Sequence, residues 1–261
     1  MSQGKIRKHK VYDHPIIGMI VGMILVGISY ILVMGIVNPL LGENNTVATS
    51  FAKIIIMMIF LLFHQFYFRD ELNDLFKIKG LKKGILLGWS ILLVSAIIFI
   101  VNHLLGGERV GSVPYAILCG FVPGLSEEVI FRIIPLSIAM RKIKDKNKLL
   151  IPCLITSLPF GVIHLANIFV GADVGSSIIQ MLYAIAIGIL LAGIYVKTKN
   201  MWAIVFLHSL QDIVSFLSVS TQQSNGVLVE SNNMIEIIIL LCFTITFYIN
   251  AICVWRNLLK K

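Results

Sequence analysis

Eight long apolar runs constrain what this chain can fold into. An α-helix needs about 20 apolar residues to cross the ~30 Å hydrocarbon core of a bilayer. Only 13% of the 261 residues are charged and 57% are hydrophobic, whereas soluble domains carry about 25% charged residues. We therefore predict an all-α polytopic membrane protein with about eight transmembrane helices, forming a single integral membrane domain over residues 1–261. The predicted spans are approximately residues 15–37, 51–68, 84–105, 114–140, 149–170, 175–196, 201–219 and 234–255.

The basic residues predict how these spans are oriented. The termini and the loops after spans two, four and six contain all of the 22 Lys and Arg residues except Lys53, Arg109 and Arg132. Because cytoplasmic loops are enriched in Lys and Arg, we predict that both termini are cytoplasmic. This topology, together with anionic lipid headgroups, accounts for the net charge of +9, so that no nucleic-acid partner is expected.

Two carboxylates and one guanidinium interrupt the fourth apolar run, at Glu127, Glu128 and Arg132. A charge at bilayer depth costs at least a few kcal/mol. Glu128 and Arg132 are four residues apart, so they share a helix face and can neutralise each other. Glu127 points elsewhere and has no charge partner on its own helix, which suits a group that transfers protons. The preceding Pro123-Gly124 pair predicts a distorted helix that lines a cavity. The alternative interpretation is a purely structural charge cluster that ties helices together.

Two further runs carry polar residues at comparable depth. The fifth contains His164, and the seventh contains His208 and Asp212. The last two are again four apart, so the carboxylate can orient the imidazole and stabilise its charged form. Counted from the basic loops at ~1.5 Å per residue, Glu127 and both histidines lie roughly 13 to 24 Å from the cytoplasmic face. They can therefore meet in one layer. One membrane histidine is usually a packing residue, whereas this combination indicates a site.

Together these patterns resemble the motifs of the CPBP family. That family comprises the CAAX prenyl endopeptidases and the bacterial Abi and bacteriocin-processing proteins. Its motifs E-E-x-x-x-R, F-x-x-x-H and H-x-x-x-N/D correspond here to Glu127 to Arg132, Phe160 to His164 and His208 to Asp212. The motifs occur in order, each within a predicted span. The resemblance covers roughly residues 114–216 and implies a four-helix catalytic core built from spans four to seven.

The resemblance implies an intramembrane endopeptidase of the glutamate-dependent kind. By motif position, Glu127 is expected to act as the general base that activates water together with His164. His208 and Asp212 are expected to stabilise the oxyanion. The residues expected to support the site structurally are Glu128, Arg132 and Phe160.

The residue at position 212 leaves one role open. Many family members have Asn where this chain has Asp212. An Asn can donate a hydrogen bond to an oxyanion, but an ionised Asp cannot. The alternative role for Asp212 is to hold His208 as a donor or a cation.

The cofactor is a second open question, because the family has been described as metalloproteases. Glu127, His164 and His208 form a two-His-one-carboxylate set with a fourth position available for water. However, the H-E-x-x-H motif is absent, and a metal-bound Glu127 would leave only Asp212 as the base. The sequence therefore favours a site without a cofactor, with a divalent metal such as zinc as the alternative.

Several functions are compatible with this site. The first is cleavage of a membrane-embedded or lipidated protein, or of a peptide precursor such as a bacteriocin. The second is a non-catalytic adaptor, either an immunity protein or a scaffold for a membrane partner such as a sensor kinase. A transporter is disfavoured because the chain has no inverted repeat. The length and the Abi-like motifs predict a bacterial plasma membrane, where prenylated substrates are not expected.

Overall fold

The described part of the chain is helical. The structure, a computed structural model, describes residues 14–41, 46–63, 77–106, 110–143, 145–170, 172–217 and 234–259. These residues form no β-strand, so the all-α prediction is confirmed for them. Their α-helices are α1 (Pro15–Leu41), α2 (Thr46–Phe63), α3 (Leu81–Leu87), α4 (Trp89–Phe99), α5 (Val113–Glu128), α6 (Ile134–Lys142), α7 (Leu150–Val162), α8 (Val174–Thr198), α9 (Met201–Phe216) and α10 (Met234–Leu259).

Other helix types extend or join some of these helices. Lys146–Leu149 and Ile163–Val170 are 3₁₀-helices that precede and follow α7. Ile100–Leu105 and Val129–Ile133 are π-helical segments that follow α4 and α5. The second π-helical segment lies within the fourth predicted span.

Several of the predicted spans correspond to helices that could cross a membrane. Within the described ranges, Leu150–Ile168, Val174–Thr198 and Ile237–Leu258 are each long and apolar enough, and they correspond to spans five, six and eight. The third span corresponds to a fourth candidate, α3 and α4, which are bent by 65° relative to each other. Spans one, two and seven correspond to α1, α2 and α9, which contain the apolar helical segments Ile16–Ser29, Val47–Leu62 and Met201–Phe216. The fourth span is divided between α5 and α6. Eight spans and cytoplasmic termini stay predictions. Residues 1–13 and 260–261 lie outside the described residues.

Helix α8 lies at the centre of the described helices. Every residue from Tyr183 to Val196 except Ile189 is buried. A helix that is apolar on all sides belongs in the interior of a bundle, and α8 packs against both α7 and α10. Helix α5 packs against α9 on one side and α2 on another. The elements that carry the three sequence motifs are thus in contact with one another or with α8.

Two glycines bring α5 unusually close to α9. A Cβ atom at Gly120 would lie 2.5 Å from the backbone nitrogen of Ile213, and one at Gly124 would lie 2.9 Å from the backbone nitrogen of Ser209. Small residues four apart let the backbones of two membrane helices approach closely. This approach places the end of α5, with its two glutamates, beside His208 on α9.

We expect Gly124→Ala to destabilise the protein by about 1–3 kcal/mol, because the added methyl group would force α5 and α9 apart. The measurement is the unfolding midpoint in detergent. Gly27→Ala on α1 is the matched control, since a Cβ atom there would meet nothing within 4 Å. Alanine is also the better helix former at such a site. Equal midpoints for the two variants would contradict the close packing of α5 on α9.

Candidate active site

The helix that carries the two glutamates changes its form directly after them. Helix α5 continues through Pro123 and ends at Glu128. In the π-helical segment that follows, the backbone N–H of Ile134 donates to the carbonyl of Val129, five residues earlier. Pro135 accounts for this change, because it has no N–H and its ring crowds the carbonyl four residues before it. The distortion predicted at Pro123-Gly124 therefore lies further along the helix. Such π-helical segments occur often at functional sites.

Glu128 and Arg132 form the ion pair that their spacing predicts. The Nη1 atom of Arg132 lies 2.9 Å from Oε1 of Glu128, and both side chains are fully buried. The guanidinium carbon of Arg132 also lies 3.7 Å from the centre of the Phe160 ring, a distance at which a cation is attracted by the aromatic face. Gly188 leaves room for the guanidinium, since a Cβ atom there would lie 2.6 Å from Nη2. The pair is thus enclosed by protein rather than lipid.

Glu128 also binds a histidine from another helix. The Nδ1 atom of His208 lies 2.7 Å from Oε1 of Glu128, and a carboxylate can only accept, so Nδ1 carries the hydrogen. The other ring nitrogen, Nε2, lies 3.6 Å from Oδ2 of Asp212, which is too long for a hydrogen bond. Asp212 is thus an ion-pair partner of His208, as the spacing predicts, whereas the hydrogen bond that orients the ring comes from Glu128, because the packing of α5 on α9 brings Glu128 to the ring.

Glu127 has a charge partner that sequence spacing did not indicate. The ammonium nitrogen of Lys53, on α2, lies 2.6 Å from its Oε1 atom. Its other oxygen, Oε2, lies 3.8 Å from Nε2 of His208. Its charge partner therefore comes from another helix rather than from its own. Lys53 interrupts the apolar run of α2, and an ionisable residue in a membrane span calls for a partner. The position of Lys53 within an apolar run could therefore have identified it from the sequence as a candidate site residue.

His164 is held by the backbone of its own segment. It lies in the 3₁₀-helix Ile163–Val170, directly after α7. Its Nδ1 atom lies 2.9 Å from the carbonyl oxygen of Phe160. Because a carbonyl can only accept a hydrogen bond, Nδ1 carries the hydrogen, and Nε2 of the neutral ring is an acceptor. In both histidines Nδ1 is therefore the nitrogen that forms the supporting hydrogen bond, and Nε2 is not used by that bond.

The ring of Phe160 connects the three motifs. Its centre lies 5.4 Å from that of Phe131, 5.4 Å from that of His164 and 5.7 Å from that of His208, each in an edge-on arrangement. Aromatic pairs in this geometry contribute about 0.5–1.5 kcal/mol beyond the area that they bury. With Arg132 over its face, Phe160 fixes both imidazoles relative to the buried ion pair.

A cavity of about 80 Å³ lies beside these side chains. It is large enough for a few water molecules. Two buried donors in its lining, the Tyr183 hydroxyl and Nε2 of Gln211, have no hydrogen-bond partner among the described residues. The amide of Gln211 is oriented by Ser95, whose hydroxyl donates to its Oε1 over 3.1 Å. The lining consists of Phe160, His164, Gln180, Tyr183, Ala184, Ile187, His208, Gln211, Asp212, Ser215 and Phe216.

The three candidate metal ligands are not arranged as a metal site. Among the residues that the structure describes, no group of three or more His, Cys, Asp or Glu side chains has a geometry that could hold a metal ion. The set formed by Glu127, His164 and His208 is therefore not such a group. One oxygen of Glu127 is already bound to the ammonium group of Lys53, which competes directly with a cation at that position.

Comparison with known proteins finds one family to which part of the chain is similar. Residues 109–214 match the family model described as type II CAAX prenyl endopeptidase, Rce1-like. This segment is therefore similar to Rce1-like domains. The resemblance to the CPBP family that the motifs indicate is therefore confirmed. No curated protein and no solved structure matches the chain.

The matched segment contains all the motif residues from Glu127 to Asp212, whereas Lys53 lies outside it. Members of the Rce1-like family are generally proteases. Together with the apolar helices, the match indicates a membrane protein related to the CAAX proteases.

We expect Arg132→Ala to lower the free energy of unfolding by about 3–5 kcal/mol, because it leaves Glu128 buried without its cation. Glu127→Gln should lower the free energy of unfolding much less, since the Glu127 side chain is 18% exposed and the amide that replaces it can still be solvated. Unfolding of both variants in detergent provides the measurement. If both lose the same amount of folded protein, the division between a supporting pair and a separate Glu127 is wrong.

Proposed function

We propose that this chain is an intramembrane endopeptidase that cleaves a membrane-associated protein or peptide precursor with a water molecule activated by Glu127. One observation carries the proposal. Within a domain related to the CAAX proteases, Oε2 of Glu127 and Nε2 of His208 face each other across 3.8 Å. That separation is too long for a direct hydrogen bond, and a water molecule placed to one side of the two atoms can hydrogen-bond to both.

In the proposed reaction, the water donates one proton to Glu127 while its oxygen attacks the carbonyl carbon of the substrate. The C–N bond then breaks, and Glu127 passes the proton to the nitrogen of the leaving amine. A positioned carboxylate in this role accelerates a reaction typically 10²–10⁴-fold. The Nε2 atom of His164 is an acceptor and assists in holding the water.

His208 is proposed to stabilise the oxyanion. When its ring carries both protons, Nε2–H can donate to the developing negative charge, while Nδ1–H remains bound to Glu128. A donor that is already fixed in position costs no reorganisation during the reaction. Asp212 cannot donate when ionised, so its proposed role is to stabilise the charged form of His208 from 3.6 Å away.

The substrate is proposed to bind beside the cavity. An extended peptide presents backbone carbonyl groups, and the unpartnered donors of Tyr183 and Gln211 suit such acceptors. The buried position of the cavity between helices favours a substrate that enters from the membrane. A bacterial plasma membrane and a precursor peptide without a prenyl group remain our proposals for location and substrate.

We expect Glu127→Gln to reduce peptide cleavage by about 10²–10⁴-fold, because the amide cannot accept a proton from water. The purified variant, incubated with a peptide library or candidate precursors, provides the assay, and its unfolding midpoint should lie within about a few degrees of that of the wild type. Asp145→Asn, at an exposed carboxylate after α6, is the matched control and should retain full activity.

The alternative is a non-catalytic adaptor, such as an immunity protein or a scaffold for a sensor kinase. The 2.6 Å contact of Glu127 with Lys53 favours it, since an ion-paired carboxylate is a weaker base. Complementation of a deletion strain by Glu127→Ala and His164→Ala variants separates the two functions. Full rescue by both variants would contradict proteolysis as the physiological role and support the adaptor.

The proposed mechanism needs no cofactor. Lys53 already balances the charge of Glu127, and the donor set does not converge as a metal site would. We therefore expect cleavage to persist after exhaustive dialysis against a chelator. Loss of activity that added zinc restores would contradict this expectation and identify a metalloprotease.

A further inference from the structure

We propose that Lys53 is a positioning residue of this active site: its ammonium group holds one oxygen of Glu127 and so directs the other toward His208 and the attacking water. The proposal rests on the proposed role of Glu127. It adds to the site a helix, α2, that lies outside the Rce1-like domain at residues 109–214.

The two oxygens of Glu127 have different neighbours. Oε1 lies 2.6 Å from the ammonium nitrogen of Lys53, and Oε2 lies 3.8 Å from Nε2 of His208. The Lys53 side chain is 24% exposed and that of Glu127 is 18% exposed, so the pair is weakened less by solvent than a surface ion pair would be. The carboxylate is therefore held in one orientation.

The charge balance of the site also depends on Lys53. The site contains three carboxylates, on Glu127, Glu128 and Asp212. If Arg132 were the only cation, the site would have two excess negative charges. Lys53 reduces this excess to one, and His208 removes the last one when it is protonated. Uncompensated charge in a buried site is strongly unfavourable. Lys53 on α2 therefore supplies a positive charge that the residues of the matched segment do not provide.

Removing Lys53 should disturb the geometry of the reacting groups. Without the ammonium group, Glu127 can turn toward His208 and form a direct ion pair with it. That pair would join the two atoms, now 3.8 Å apart, to which the water molecule is proposed to bind. Substrate contacts on the other side of the site would stay unchanged. The effect should therefore fall on kcat rather than on KM.

The first test measures peptide cleavage by purified Lys53→Met and Lys53→Arg variants. We expect Lys53→Met to reduce kcat by about 10–100-fold with KM nearly unchanged, since small misplacements of reacting groups have effects of this order. Lys53→Arg should recover much of the loss. Lys83→Met, at an exposed lysine on α3, is the control. An unchanged kcat for Lys53→Met, or a change in KM alone, would overturn the proposal.

A second test does not require any substrate. Unfolding temperatures are compared for Lys53→Met, Glu127→Gln and the double variant, which isolates the interaction between the two side chains. We expect Lys53→Met to lower the unfolding temperature by roughly 2–4 °C, and by clearly less when Glu127 is already glutamine. Additive losses would show that the two residues do not interact and would overturn the positioning role. If the two residues are coupled but the wild type cleaves no peptide, the ion pair exists and the proposed protease function is wrong. The positioning role of Lys53 in catalysis is then wrong as well.

Discussion

The buried ion pair of Glu128 with Arg132 is the interaction on which the rest of the site depends. Both side chains are fully buried, and the same carboxylate oxygen accepts hydrogen bonds from Arg132 and from His208. A lone buried charge would be strongly destabilising, so each partner makes the other tolerable in an apolar bundle. The pair also fixes the orientation of the His208 imidazole, which lies on a different helix.

The close packing of the bundle makes that arrangement possible. Gly120 and Gly124 let α5 approach α9 until no side chain fits between their backbones. The ring of Phe160 then packs against Arg132 and both site histidines, so that α7 contributes to the same layer. The same contacts therefore stabilise the bundle and hold the side chains of the candidate site in place.

The site is larger than the domain that the family match defines. Residues 109–214 contain the motifs, but the cation beside Glu127 comes from Lys53 on α2. In an apolar environment an additional carboxylate calls for an additional cation, and a helix outside the domain can supply it. A helix outside the matched segment therefore contributes a charged side chain to the candidate site.

The sequence by itself determined the helical class, the pairing of Glu128 with Arg132 and the resemblance to a protease family, because these follow from apolar run length, from neighbours four apart on one helix and from ordered motifs. Only the tertiary structure decided that Glu128 rather than Asp212 orients His208, that Lys53 meets Glu127 and that the helix changes form at Val129 rather than at Pro123. The physical reason is the same in each case. Periodicity reports which residues share a face of one helix, whereas contacts between helices depend on how closely two helices approach and how each is rotated about its axis.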